Sequence, residues 1–380
     1  MLEVLFLKVL IVKVAILFLR FIYLFFKPLK TQNKIVMISR QSNEISDDFR
    51  MLGDALKAEH SVKVVYLCKT LDGGVNSTIF TKLSYGFHMF TQMYHLATSK
   101  VCVLDSYSPV VSVLNHKKSL KVVQIWHSIG KLKKFGWQII GNEEGSSRTV
   151  AELMNMHKNY DVIYCAGEGY KEVLMEGFNA DASKFRIFSI PRVDLLTDDK
   201  YIAETRAAIH KKYPQLKDKQ TVVYAPTFRK NEAGFNEGFK SLVEHFDFDK
   251  YNLVVKLHPL SKVDIDDSRV IFDKSFSTFR MMTCADKFIS DYSCMIYEAG
   301  IMGIPVYFYN YDMALYVEKR GLAIDYGILP GYKSTDAATL VESLELAYDY
   351  EYLSEFISSM ISNTQNCTSK LAADIISLCK

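Results

Sequence analysis

The 380-residue chain is poor in most of the features that would settle its class at a glance. With 8 Pro and 18 Gly it is neither collagen-like nor dominated by linkers. Charge of neither sign prevails, with 46 Lys and Arg against 43 Asp and Glu, and a content of 23% charged and 13% aromatic residues excludes a disordered polyelectrolyte. The seven cysteines, Cys68, Cys102, Cys165, Cys284, Cys294, Cys367 and Cys379, form no CxxC pair. Their scatter fits reduced thiols in a cytosolic compartment rather than a disulfide framework or a zinc site. No GxxxxGK[ST], HExxH or GxSxG occurs, and no GxGxxG follows the first apolar run, so the P-loop, zincin, nucleophile-elbow and dinucleotide signatures are all missing. Asp247-Phe248-Asp249 and Asp264-Ile265-Asp266 lie in polar stretches and read as solvated acids; no metal ligand set is expected.

The small net charge of +3 is unevenly placed. Residues 1–30 carry Lys8, Lys13, Arg20, Lys27 and Lys30 against Glu3 alone, which leaves 41 cations and 42 anions in residues 31–380. A body so close to neutral is no general nucleic-acid binder. The N-terminal segment is apolar, but its longest uncharged runs, Val14–Leu19 and Phe21–Phe26, are six residues each. A spanning helix needs about 20. Lys13, Arg20 and Lys27 fall within about 40° of one another on a helix, a cationic ridge on a greasy cylinder. That pattern predicts an interfacial helix over residues 1–30 that lies on an anionic membrane surface and ends at Pro28.

Beyond Pro28, short apolar runs alternate with mixed segments. Strands are expected at Lys34–Ile38, Ser61–Leu67, Lys100–Leu104, Lys121–Ile125, Val162–Cys165, Arg186–Ile190, Thr221–Tyr224, Leu253–Leu257, Val270–Phe272, Lys287–Ile289 and Val306–Tyr309. Helical patterns such as Phe49–Glu59, Arg148–Met156, Gly169–Gly177 and Ser293–Met302 lie between them. The alternation predicts an α/β fold of two doubly wound domains, residues 31–197 and 198–350, followed by helices over 351–380. Open α/β sheets bind ligands at the C-terminal ends of their strands, so a cleft is expected there.

Four motifs fall at those ends. Gln124-Ile125-Trp126-His127 opens into a glycine turn with Lys131, Lys133 and Lys134, which sets an imidazole beside positive charge. Ala225-Pro226-Thr227-Phe228-Arg229 offers a planar fork for phosphate oxygens. Lys256-Leu257-His258-Pro259 ends another strand. Ser290-Asp291-Tyr292-Ser293 leads a strand into a helix whose N-terminus could hold a diphosphate. Singly, each is equally well an ordinary packed histidine, a surface arginine, a capped strand end or a helix N-cap.

Together and in order, QIWHSIGKLKKFG, SIPRVD, VVYAPTFR, VVKLHP, SDYSCMIYEAGIMGIPVYFY with Tyr311-Asp312, and Arg320-Gly321 leading to Leu329-Pro330-Gly331 resemble the CDP-glycerol glycerophosphotransferase family of teichoic acid primases and polymerases. The WHSIGKLKKFG form looks more like the polymerases. The resemblance implies a GT-B-like fold of two Rossmann-type domains and transfer of glycerol phosphate or ribitol phosphate from CDP-glycerol or CDP-ribitol to an undecaprenyl-diphosphate-linked acceptor, with release of CMP. It implies work at the cytoplasmic face of a Gram-positive cell membrane, in teichoic acid or capsule synthesis, with no required cofactor, although Mg²⁺ could accompany the nucleotide, and it leaves room for a homo-oligomer. By the same resemblance His127 and His258 are catalytic, Thr227, Arg229, Ser290, Asp291, Ser293 and Arg320 bind the donor, and Lys133 and Lys134 bind the acceptor. Ser128, Ser189, Cys294 and Glu298 depart from the family's usual residues. A sugar transferase of the same fold using a UDP- or GDP-sugar, and a non-catalytic assembly scaffold, are the competing readings.

Overall fold

The computed structural model describes residues 2–71, 78–229, 233–258, 261, 263 and 266–379. The chain forms two compact units, one of Met1–His127, Phe135–Arg192 and Gln365–Lys380, the other of Ser128–Lys134 and Val193–Thr364. The sequence placed a boundary after residue 197; here the long middle stretch of the first unit ends at Arg192.

The first unit begins with α1 (Leu2–Phe26), α2 (Asp47–His60) and α3 (Ile79–Thr98). Its sheet contains β1 (Lys34–Ser39), β2 (Lys63–Cys68), β3 (Val101–Leu104), β4 (Lys121–Gln124), β5 (Val162–Cys165) and β6 (Phe185–Ile187). They are ordered β2-β1-β3-β4-β5-β6, every neighbouring pair parallel. Every residue of β1, β3 and β5 is buried, as expected of strands covered on both faces by helices. Helix α2 begins at a Ser46 cap whose hydroxyl accepts the Phe49 N–H, with Asp47 and Asp48 in the favourable first turn. The C-terminal helix Cys367–Ser377 returns to pack on α2. It is pinned there by Asp374, which takes two bonds from Arg186 Nη1 at 2.9 and 2.7 Å and one from the Tyr164 hydroxyl at 2.6 Å.

The second unit repeats the plan with β7 (Gln220–Tyr224), β8 (Tyr251–Val255), β9 (Val270–Phe272), β10 (Lys287–Ser290), β11 (Val306–Tyr309) and β12 (Lys333–Ser334). The order is β12-β11-β10-β7-β8-β9, again all parallel. One face is closed by the helix Ala233–His245, whose Phe235 and Phe239 lie nearly parallel to the Tyr224 ring within a core that includes Val222, Leu253 and Tyr307.

The eleven expected strands all form within a few residues of their expected limits. The two-residue β12 was not among them, because so short a strand has no alternation to read.

Behind β8 lies a buried ion pair. Lys256 Nζ donates to Asp273 Oδ2 at 2.7 Å and to the carbonyls of Asp273 and Phe276 at 2.7 and 2.5 Å, with the Asp273 side chain wholly inaccessible. Burial pushes the Asp273 carboxyl upward, yet the bonds from Lys256, Tyr213 and the backbone of Ser275 and Phe276 more than offset it and hold the group below the usual carboxylate range. Such a group stabilises the fold above its unfolded-state pKa, and the stabilisation is lost as pH falls through the depressed folded value. Asp273→Asn should cost about 3 kcal/mol near neutrality, the cost of leaving Lys256 without its counter-charge. Thermal unfolding followed from neutral to acid pH should show the wild-type advantage shrinking as Asp273 protonates; a gap independent of pH would show that packing, not charge, holds this corner.

Candidate active site

In the first unit the site is built where β4 ends. Trp126 has φ +60°, a left-handed backbone conformation rare for so bulky a residue. Two features hold it. The Gln124 side-chain oxygen accepts the Trp126 N–H at 2.9 Å, and the indole packs against His127, Phe135 and Phe178 with ring centroids 4.2, 5.1 and 5.0 Å away. This bend carries His127 off the strand axis. Its Nδ1 lies 2.8 Å from the Asp105 carbonyl oxygen, which can only accept, so the proton sits on Nδ1 and Nε2 is the basic nitrogen. The Gln41 amide nitrogen is a longer contact, at 3.3 Å from the same ring nitrogen. Arg192 fixes the other side by donating from Nη2 to the His127 carbonyl, while Asp48 accepts the Arg192 backbone N–H at 2.9 Å. Nearby, burial raises the Asp105 carboxyl to about 6 despite bonds from Ser39 and Ser106.

In the second unit the loops after β7 and β10 meet on Asp291, and Arg229 and Tyr292 link them to Asp312 after β11. This carboxylate is fully buried and accepts the Thr227 N–H at 3.0 Å, the Thr227 hydroxyl at 2.7 Å, Arg229 Nη1 at 2.6 Å and the Tyr292 N–H at 2.5 Å. The rest of the Arg229 fork binds Asp312 from Nε and Nη2 at 2.7 and 2.9 Å, and Tyr292, Tyr311 and Tyr316 surround the guanidinium at 5.6, 5.2 and 5.8 Å. Burial alone would weaken the charge on Arg229; the two carboxylates reverse that and raise its pKa. Ser290 is buried and donates to the Ala225 carbonyl at 2.8 Å, and Ser293 accepts the Met295 N–H at 3.3 Å. Arg229, Ser290 and Asp291, expected to bind the donor, thus make their bonds within the protein frame.

The cations nearest this frame come from the glycine turn. Gly130 packs so closely on Tyr297 that an added Cβ would lie 2.3 Å from its ring. From there Leu132–Lys134 run antiparallel to Arg320–Ala323: Ala323 N–H donates to Leu132 O at 2.7 Å, Lys134 N–H to Gly321 O at 3.2 Å and Arg320 Nε to Lys134 O at 3.2 Å. Lys133 Nζ therefore reaches the Thr227 hydroxyl at 3.5 Å, whereas the Lys134 side chain is exposed. Burial lowers the pKa of Lys133 and takes that of neighbouring Lys131 down to about 8. His258 follows β8 with its ring 5.3 Å from Phe228, and burial together with the charge of Lys133 lowers its pKa, which favours the uncharged ring. Pro259 and Asp264 lie outside the described residues. Among those that are described, no group of three or more His, Cys, Asp or Glu side chains is placed to share a metal ion.

The roles of Asp105, Gln41 and Arg192 at His127 were not legible from residue types. Arg192 had one signal, its place in the SIPRVD turn. Asp291→Asn should unfold the Thr227–Arg229 loop and lower the melting temperature, at a cost of about 3–5 kcal/mol for a buried cation left short of its partner. Asp312→Asn, whose side chain is 16% exposed, should cost less. Equal losses in thermal unfolding would mean that Asp291 is not the dominant anchor.

Known proteins resemble this chain in sequence and in fold. The chain is 29% identical over 361 residues to the teichoic acid ribitol-phosphate primase of Bacillus spizizenii, covering 91% of each protein. It is 31% identical over 276 residues to the teichoic acid glycerol-phosphate primase of Bacillus subtilis, covering 71% of each. The wall teichoic acid polymerase TagF has the same fold, with a TM-score of 0.70 at 18% identity over 91% of this chain and 89% of that one. The profile of the CDP-glycerol:poly(glycerophosphate) glycerophosphotransferases matches residues 19–370, and the chain belongs to that family.

Proposed function

We propose that this chain, an alditol-phosphate transferase of teichoic acid synthesis by its family, uses His127 as the general base for an acceptor hydroxyl, while Lys133 and Arg320 neutralise the phosphates of a CDP-alditol and His258 hydrogen-bonds to them. The deprotonating oxygen attacks the alditol-bearing phosphorus, and its proton passes to His127 Nε2. The bond from that phosphorus to the CMP oxygen breaks, and CMP leaves with the electron pair. One observation carries the assignment: the Asp105 carbonyl holds the His127 proton on Nδ1, which is what a base acting through Nε2 requires. Arg229 and Asp291 act as positioning residues, keeping Thr227 and Lys133 in place. Family membership displaces the UDP-sugar and scaffold readings. The acceptor is a chain end on undecaprenyl diphosphate, and the charge neutralisation comes from side chains, with Mg²⁺ as an accompaniment of the nucleotide.

We infer from α1 that the reaction takes place at the cytoplasmic membrane surface. Leu10, Ile11, Val14, Leu17, Phe18, Phe21, Leu24 and Phe25 are exposed along this helix, and α3 adds Ile79, Phe80, Leu83 and Phe87, up to 80% exposed. Val9–Phe26 is long and apolar enough to cross a membrane by length and composition. Its other face, however, is committed to the first unit. Tyr23 is 1% exposed with its hydroxyl 3.1 Å from His116 Nδ1, and Arg20 Nε donates to the Val113 carbonyl at 2.8 Å. These bonds favour a helix that lies along the surface over one that crosses the bilayer.

The test is CMP release from CDP-glycerol and CDP-ribitol with a lipid-linked acceptor. His127→Ala should lower kcat by about 10²–10⁴-fold, the usual contribution of a general base, with donor KM little changed. Substantial retained turnover would remove His127 from the mechanism, and activity with UDP-sugars but not CDP-alditols would remove the donor assignment.

A further inference from the structure

The cationic side chains of the first unit gather at the end of its sheet opposite His127. A cavity of about 770 Å³ opens beside the N-terminal ends of β4, β5 and β6, walled by Lys117, Lys118, Lys121, Lys158 and Lys184 with Asp161 as the one carboxylate. His127 follows the other end of β4, and the four residues of that strand alone separate the two places by about 10 Å. The mechanism above uses none of these lysines.

The walls are built rather than casual. Asn159, at φ +71°, donates its side-chain amide to the carbonyls of Val111, Ser112 and Leu114 at 2.9, 3.1 and 2.9 Å, which ties the β5 approach to the segment leading into β4. His116 is clamped between the Tyr23 hydroxyl and the Val111 carbonyl, 2.7 Å from its Nε2. Lys184 Nζ is held by the Tyr160 carbonyl at 2.8 Å, and Lys117 Nζ by the Leu29 carbonyl just beyond α1. The Lys121 ammonium lies 3.8 Å from Asp161, and Lys118 and Lys158 are exposed. The positive field continues onto α1, where a neighbouring cavity of about 320 Å³ is lined by Arg20, Lys27 and Asn115 together with Phe21, Tyr23 and Leu24.

Five lysines against one carboxylate select an anion, and ammonium groups held on a concave wall, Lys117 and Lys184 by backbone carbonyls, suit a compact phosphate ester. Which phosphate ester follows from the neighbour. The cavity adjoins the helix whose outer face is a continuous apolar strip, so a ligand with a phosphate at one end and acyl chains at the other satisfies both surfaces at once. We propose that this cavity binds the phosphodiester headgroup of an anionic membrane lipid, a site separate from the catalytic one that fixes the orientation of the first unit on the bilayer. The inference rests on α1 as a membrane-surface helix.

The test uses the full chain and three measurements. Sedimentation is compared on phosphatidylcholine vesicles and on vesicles doped with phosphatidylglycerol, for the wild type, for Lys118→Glu/Lys158→Glu, and for Leu17→Asp/Phe21→Asp. Thermal unfolding is measured with soluble glycerol phosphate and a short poly(glycerol phosphate), and CMP release with a soluble acceptor reports on the fold. The wild type should prefer the anionic vesicles. The lysine variant should lose that preference by about tenfold, as charge reversal near an anionic surface predicts, while its weaker binding to phosphatidylcholine and its CMP release are unchanged. The α1 variant should weaken on both vesicles. Undiminished binding of the lysine variant to anionic vesicles overturns the proposal, as does stabilisation by soluble glycerol phosphate or its polymer that the lysine variant loses while its lipid preference persists. Wild type that binds neither vesicle sinks the helix reading and this inference together. An α1 variant that binds like wild type, beside a lysine variant that does not, sinks the helix reading alone and supports the lipid site.

Discussion

A carboxylate with no solvent access, Asp291, sets the geometry of the strand ends in the second unit. Removing a charge from water is costly, and it is offset here only because Thr227, Arg229 and Tyr292 all direct donors at the same two oxygens. The consequence runs outward. The β7 loop cannot shift without stripping Asp291 of its donors, and the Arg229 fork, bonded to Asp312 on its other edge, joins that loop to the one after β11. A single buried charge thus fixes three strand ends, and Lys133 takes its position from the Thr227 they hold.

The first unit reaches the same end by a different device. Its histidine depends on backbone strain at Trp126, sustained by the Gln124 side chain and by aromatic packing, and on a carbonyl that decides the tautomer. At Nδ1 the backbone oxygen of Asp105 carries the orientation of the His127 ring. A neutral acceptor orients the ring while adding little to its basicity, which suits a base that must give its proton up again after each turnover.

The same unit divides its surface by function. Strand C-terminal ends hold His127, the proposed base, strand N-terminal ends hold a cationic cavity, and α1 presents an apolar strip beside that cavity. The +3 of the whole chain is a poor guide to this, because opposite charges elsewhere cancel what the fold concentrates in one place.

The sequence by itself determined the α/β class, the eleven longer strands and the residues at their ends. Apolar runs of four to seven residues between helical segments have no other compact solution than parallel sheets covered on both faces. It also marked His127, His258, Arg229 and the Ser290–Ser293 turn, because strand ends are where such sheets expose side chains. It did not show what those residues bond to within the protein. The pairing of the Arg229 fork with Asp312 and its enclosure by Tyr292, Tyr311 and Tyr316 join positions far apart in the chain. The contribution of Arg192 to His127 spans 65 residues, and the lysine cavity draws on segments from Lys117 to Lys184. Contacts at such separation are set by the order in which strands enter the sheet, which no local pattern encodes.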